Sequence, residues 1–363
     1  MATPLKIAVI AGDGIGPEVV GASLDVLAKA APAAGLAFET ADFPFSAQHF
    51  LDTGHVLDDA DLGELRKFDA ILLGAVGGLP NDPRLAGGVI EKGILLRLRF
   101  ELDQYINLRP VKLYPGIETP LKDKSAEDID LICVRENTED LYCGIGGIMR
   151  KGTPHEVASQ TMVATRMGVE RCVRYAFDVA KTRPRKRLTL VHKTNVLTFA
   201  GETWFHAFKE IAEEYPEIET DYHHVDACCM YLVNTPEVYD VVVVPNMFGD
   251  IITDLGAAIA GGMGIAASGN LNPTGEAPSM FEPVHGSAPD IAGQQIANPI
   301  ATIDSLGLLL RETGRIKSND AAVACGEAIG AAVQKTTPKF AGKRLDRSGY
   351  STSEVAAMVA DAL

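Results

Sequence analysis

The chain has 363 residues, 47% of them hydrophobic, with 33 basic against 48 acidic side chains and a net charge of −15. That length and apolar content suit one large or two interlocked globular domains. The acidic balance argues against a nucleic-acid surface, and no run of about 18 apolar residues is present to span a membrane.

The N-terminus enters a strand-like run, Lys6–Ala11, with no signal-peptide pattern before it. The loop Gly12-Asp13-Gly14-Ile15-Gly16-Pro17-Glu18 then leads into a helix expected over Pro17–Ala30. Its glycines superficially match a dinucleotide fingerprint, yet Pro17 and Glu18 stand where that motif continues to its third glycine. A tight strand-to-helix turn, with proline opening the helix, is the better reading. Strand-like runs follow at Asp69–Gly74 and Ile129–Val134, then a helix at Arg166–Lys181. Leu188–Val191 and Val241–Pro245 read as strands, each followed by a helix, Glu202–Glu214 and Asp250–Ala260. Helices at Ala301–Leu310, Ala321–Val333 and Ser353–Leu363 complete the chain. Alternating strands and helices predict an α/β layered fold with largely parallel strands. With no repeat or long linker, a split domain built from both chain ends around a middle insert is expected. The six cysteines form no CxxC pair and read as reduced thiols of a cytoplasmic protein.

Chemistry concentrates in a few segments. Met247-Phe248-Gly249-Asp250-Ile251-Ile252-Thr253-Asp254 follows the apolar run Val241–Val244. On a helix, Asp250 and Asp254 share one face, a turn apart. Two close carboxylates repel unless a cation sits between them, and hard oxygen ligands suit Mg²⁺ or Mn²⁺. The same pair also reads as acids favoured at a helix N-terminus. An acidic protein binds an acidic substrate only through a locally basic pocket, so arginines in strand-edge settings are informative. Arg99 and Arg109 lie ten residues apart, and Arg135 directly follows the buried-looking Leu131–Val134. Ligands of open α/β sheets collect at that carboxyl edge, and a carboxylate is the best partner for a guanidinium there, whether substrate or internal acid. Tyr142 lies in a glycine-containing loop and Lys193 ends a strand; both are ordinary surface residues unless a metal or pocket lowers their pKa enough for proton transfer. Asp226 is a candidate third oxygen ligand. The preceding His223-His224 is discounted as a zinc site, because neighbours in a strand point to opposite faces. Between Glu282 and Asn298, small residues let the backbone approach a ligand with amides free for phosphates.

Taken together, these segments resemble the β-decarboxylating dehydrogenase family, which acts on 3-isopropylmalate, isocitrate, homoisocitrate or tartrate. The likeness runs from GDGIGPE (12–18) to IANP (296–299) and the helices beyond. LLRLRFELDQYINLRP (95–110), LVHKTNVLTFAG (190–201), MFGDIITDL (247–255) and SMFEPVHGSAPDIAG (279–293) are most similar to members acting on 3-isopropylmalate in leucine biosynthesis. The resemblance implies a non-Rossmann, mostly parallel α/β fold. Its cofactor domain would be residues 1–104 plus 263–363, and its dimerisation and metal/substrate domain residues 105–262. It implies a homodimer with shared active sites, NAD, and Mg²⁺ or Mn²⁺, and leaves a K⁺ requirement open. Arg99, Arg109 and Arg135 would clamp substrate carboxylates, and Asp250 and Asp254 would hold the metal with Asp226 of the partner subunit. Tyr142 and Lys193 would transfer protons. Glu282, His285, Gly286, Ser287, Ala288, Pro289 and Asp290 would bind NAD, with Asn298 near adenine and Asn195 near nicotinamide. Asp290 facing the ribose hydroxyls would repel a 2′-phosphate and so disfavour NADP. Leu95 and Leu96, with Val196 as a further wall, would favour an isopropyl group over a third carboxylate, or else simply belong to the core.

One segment departs from this pattern. Arg135-Glu136-Asn137-Thr138-Glu139-Asp140-Leu141-Tyr142 reads more like the isocitrate and tartrate members. Isocitrate, homoisocitrate, tartrate or another 3-alkylmalate are therefore alternative substrates. A non-catalytic regulatory subunit would have lost catalytic residues, and none is missing.

Overall fold

The computed structural model describes residues 3–79, 82–341 and 349–363. In chain order the first elements are β1 (Leu5–Gly12), α1 (Gly16–Ala34), β2 (Phe38–Asp42), α2 (Ala47–Thr53), α3 (Asp59–Leu65), β3 (Ala70–Ala75) and α4 (Arg97–Glu101). Then come β4 (Ile106–Lys112), β5 (Asp130–Glu136), β6 (Gly146–Met149), β7 (Val157–Gln160), α5 (Arg166–Thr182), β8 (Arg187–His192) and α6 (Thr198–Ala212). The chain continues through β9 (Glu219–His224), α7 (Val225–Asn234), β10 (Val241–Val244), α8 (Asn246–Ile259), β11 (Ala267–Leu271) and β12 (Ser279–Pro283). It closes with α9 (Ile300–Lys317), α10 (Asp320–Thr336) and α11 (Thr352–Ala360).

The chain divides into two compact units, 1–104 with 112–127 and 257–363, and 105–111 with 128–256. In the first, strands run in the order β2-β1-β3-β12-β11, parallel except for the β11–β12 pair. In the second, the order is β4-β5-β10-β8-β9, with parallel pairing between β5, β10, β8 and β9. The four valines of β10 and all six residues of β3 are buried, as expected of parallel strands covered on both faces. The predicted α/β, mostly parallel architecture is the observed one.

The glycine loop after β1 is a packing device. Gly12 and Gly14 have positive φ, and a Cβ on either would lie 1.9 Å from a carbonyl oxygen, of Ala75 or Ser287. Between them, the Asp13 carboxylate accepts from the amides of Ala47, Gln48 and Gly77 at 2.7, 3.0 and 2.9 Å. The loop's own carboxylate is thus spent on tying the start of α2 and the segment after β3 to this turn. Helix α1 runs past Pro32, beyond the expected end at Ala30, and stops where Gly35 turns left-handed.

The β6–β7 hairpin is exposed on every residue, including Ile148, Met149 and Val157. A lone two-stranded hairpin is marginal in water.

Candidate active site

In the second unit, register brings the carboxyl ends of β5 and β10 together. Arg135 pairs in register with Val244, the last residue of β10, so its side chain meets the start of α8. It is 1% exposed. Its Nε donates to the Asn246 carbonyl at 2.9 Å and to Asn246 Oδ1 at 3.0 Å, and its Nη1 donates to Asp250 Oδ1 at 2.6 Å. Gly249 explains the close fit, since a Cβ there would lie 2.4 Å from Arg135 Cγ. Arg109, on β4, reaches the same helix one turn further along. Its Nη1 donates to Thr253 Oγ1 at 2.7 Å and to Asp254 Oδ1 at 3.4 Å, and its Nη2 lies 3.8 Å from Asp250 Oδ1. The Tyr142 hydroxyl donates to Asp250 Oδ2 at 3.1 Å, with the Arg135 guanidinium 5.2 Å from the ring centre.

The helix begins four residues before the expected Asp250, so both aspartates lie beyond its first turn and the dipole reading loses its basis. Their mutual repulsion does not by itself require a metal, because Arg109 and Arg135 already supply positive charge. Both carboxylates remain open, with Asp250 40% and Asp254 61% exposed. Arg135 Nη2 is buried with no hydrogen-bond partner among the described residues. A second anion is the group that satisfies such a donor.

Lys193 and Asp226 form a separate pair. His192 is in register with His224, so the residues that follow each strand emerge side by side. Lys193 Nζ donates to Asp226 Oδ1 at 2.6 Å, and this bond holds the Asp226 carboxyl below its ordinary range. Among the described residues, the group of three acid, histidine or cysteine side chains within reach of one ion is His55, Asp58 and Asp61, so Asp226 does not join Asp250 and Asp254 within one chain. His223 and His224 go their own ways, to the hydroxyls of Tyr239 and Tyr222, as the opposite-face argument requires. Asn195 and Val196, just beyond Lys193, are exposed.

Glu282 on β12 accepts from Arg99 Nη2 at 3.2 Å and from Asn270 Nδ2 at 2.8 Å. The following loop, His285 to Asp290, rests on the glycine turn through Ile15 N–H to the Ser287 carbonyl at 2.8 Å. Ala288 takes a positive φ, and Gly286 and Asp290 are exposed. Burial lowers the pKa of His285, so its ring is neutral; Nδ1 contacts the Gly286 carbonyl at 3.0 Å. His285 Nε2 and Asn298 Nδ2 are buried without partners among the described residues. Asn298 Oδ1 accepts from Ile300 N at the start of α9. Leu95 packs on the buried cluster that contains Ile94 and Leu98, and Leu96 beside it is half-buried.

Sequence reasoning missed Asn246, Thr253 and Asp140, all bonded to groups of this cluster or its supports. Thr253 carries the one signal available, a hydroxyl beside Asp254 on the same helix.

Residues 6–359 match the family model described as "Isocitrate/isopropylmalate dehydrogenase". The chain is 57% identical to a 3-isopropylmalate dehydrogenase of Thermobifida fusca (strain YX), with 92% of each chain covered. It is 58% identical to a 3-isopropylmalate dehydrogenase of Clavibacter michiganensis subsp. michiganensis, with 86% of this chain and 88% of the other covered. Its structure is similar to the crystal structure of isocitrate dehydrogenase from Methylococcus capsulatus, with a TM-score of 0.84, 33% identity and 99% of each chain covered.

Proposed function

The chain belongs to the isocitrate/isopropylmalate dehydrogenase family, and on that premise we propose that it oxidises and decarboxylates (2R,3S)-3-isopropylmalate to 4-methyl-2-oxopentanoate, reducing NAD, as a step of leucine biosynthesis. The observation that carries this reading is the grouping of Arg109, Arg135 and Tyr142 around Asp250, with the buried Arg135 Nη2 lacking a hydrogen-bond partner among the described residues. When bound, a divalent Mg²⁺ or Mn²⁺ supplies Lewis acidity at the substrate hydroxyl, and NAD supplies the hydride acceptor. Asp250 and Asp254 fit the ion through open, acceptor-only oxygens, with Asp226 of the partner subunit as third ligand. The buried acceptor His285 Nε2 and donor Asn298 Nδ2, both without partners among the described residues and at a loop with approachable backbone, suit a nucleotide.

The chain's own groups do the rest. Arg109 and Arg135 fix the substrate carboxylates, Lys193 of the partner subunit takes the hydroxyl proton, and Tyr142 returns a proton to C3 after CO₂ leaves. For Arg99, Leu95, Leu96 and Val196 the proposed substrate roles, and for Asn195 and Asp290 the cofactor roles, rest on the family resemblance. A second copy of this chain suits the exposed β6–β7 hairpin and the apolar Met230, Tyr231, Val233 and Ile251 of α7 and α8. It also answers the separation of Asp226 from Asp250. No helix among the described residues is long and apolar enough to cross a membrane.

The Arg135–Tyr142 segment keeps isocitrate as a second reading. A panel of 3-isopropylmalate, isocitrate, homoisocitrate and tartrate, with Mg²⁺ or Mn²⁺ and each nicotinamide cofactor, separates the two by absorbance of the reduced cofactor. Isopropylmalate with NAD gives the highest kcat/KM if the reading is right. Preference for isocitrate, or equal rates with NADP, contradicts it.

A further inference from the structure

Asp140 is a buried aspartate, 2% exposed, with φ of +69°. That left-handed backbone is uncommon for a residue with a side chain and persists where surrounding bonds hold it. Here the bonds converge from three segments of one unit: the start of α8, the turn that Asp140 opens, and the stretch at Val163. Oδ2 accepts from the amide of Met247 at 2.8 Å, and Oδ1 accepts from Leu141 N at 2.7 Å. The Asp140 backbone exchanges bonds with Val163, N–H to carbonyl at 2.9 Å and 3.4 Å in the two directions. Beside it, Asn246 Nδ2 donates to the Glu139 carbonyl at 3.3 Å.

Met247 is the second residue of α8, and its N–H is among the helix's first four amides, which lack intrahelical acceptors. Asp140 therefore caps α8 from another part of the chain. The same residue opens the 3₁₀ turn Asp140–Cys143, which carries Tyr142 two positions on, while α8 carries Asp250 one turn from Met247. One carboxylate thus ties the tyrosine-bearing turn to the aspartate-bearing helix. We propose that Asp140 is a positioning residue that sets the Tyr142 hydroxyl against Asp250. This rests on the reading of Tyr142 as the proton donor to C3: its phenol gives a proton to the carbon that CO₂ has left, and the phenolate is reprotonated from solvent.

Two variants separate the cap from the backbone. Asp140→Gly keeps the left-handed conformation without steric cost but removes the carboxylate. Asp140→Asn keeps an oxygen able to accept from Met247 and tolerates the same φ. They are assayed beside wild type and Tyr142→Phe with isopropylmalate, NAD and Mg²⁺ in D₂O. The product is converted at once to L-leucine by a stereospecific aminating dehydrogenase with ammonia and NADH, which makes its two C3 positions diastereotopic, and the side that carries deuterium is read by proton resonance. We expect D140G to lower kcat by about tenfold or more with KM for isopropylmalate within about twofold. Its product should carry deuterium on both sides of C3, as when protonation occurs in free solution, while D140N stays within about threefold of wild type and labels one side. Mn²⁺ affinity of D140G, read by paramagnetic resonance, stays unchanged. If D140G does not fold, Met247→Pro removes the donor instead; α1 already carries Pro17 near its start, and the same loss is expected.

Wild-type kcat and single-sided label in D140G or M247P overturn the proposal, as does equal impairment of D140G and D140N. Y142F locates the fault. If it loses rate and single-sided labelling while D140G does not, the positioning role alone is wrong. If Y142F keeps both, Tyr142 is not the donor, and the reading beneath the proposal falls with it.

Discussion

The aspartate–arginine cluster of one unit and the Glu282–Asn298 segment of the other are built on opposite plans. In the cluster, the functional side chains are carried by regular elements, and the elements lock one another: β5 presents Arg135, α8 presents Asp250, and Gly249 lets them meet. The other segment is mostly loop, tied to its surroundings by scattered bonds such as Ile15 N–H to the Ser287 carbonyl and Thr352 to the carbonyls of Gln295 and Ala297, and among the described residues it leaves the buried acceptor His285 Nε2 and donor Asn298 Nδ2 without partners. The first plan suits groups that must be fixed to within fractions of an ångström for chemistry. The second suits a large ligand that supplies its own hydrogen bonds.

Substitutions should report that difference. In the cluster, Asp250→Asn keeps an acceptor for Arg135 and so should fold, but removes the charge on which metal binding depends. Activity should fall by roughly 10³-fold or more, with circular dichroism unchanged. Retained activity would break the comparison at its strongest point. In the loop region, Gly14→Ala would drive a Cβ to 1.9 Å from the Ser287 carbonyl at φ of +60°. KM for NAD should rise about tenfold, with kcat at saturating NAD within about twofold, because the loop shifts and the cluster does not. An unchanged KM would mean that the glycine turn does not hold this loop in place.

Substrate choice is the next effect in size. Leu95→Ser with Leu96→Asn should reduce the preference for isopropylmalate over isocitrate by about tenfold in kcat/KM. An unchanged ratio assigns these leucines to the core on which Leu95 already packs.

The smallest effect measures what the tight cluster costs in stability. Burial pushes the Glu136 carboxyl, next to Arg135, up to about 7. The folded state therefore holds this proton more tightly than the unfolded chain. This group's contribution declines as pH rises from about 4.5 to about 7 and is flat above that. Relative to Glu136→Gln, wild type should lose on the order of 1–3 kcal/mol across that window in denaturant unfolding. Parallel stability profiles for the two proteins would contradict this.

Much of this was legible from residue types. The valines of β10 announce a buried strand, and the spacing of Asp250 and Asp254 announces a shared helix face. Other elements were hidden for physical reasons. β4 contains Arg109 and Pro110, and β9 reads Glu-Thr-Asp-Tyr-His-His, so neither shows the apolar alternation that marks a strand. β11, Ala-Ser-Gly-Asn-Leu, is wholly buried, although small and polar residues usually signal a loop. The start of α8 was missed because Asn246 and Gly249 look like loop residues; both are there to accommodate Arg135. The pairing of Lys193 with Asp226 follows only from the β8–β9 register, which local pattern does not encode.

The most direct test of the account is anomalous diffraction from crystals soaked with Mn²⁺ and isopropylmalate. The account predicts one strong peak between Asp250, Asp254 and Asp226 of the partner subunit, with the substrate carboxylates on Arg109 and Arg135. A peak at His55, Asp58 and Asp61 instead, or substrate density away from those arginines, would contradict it.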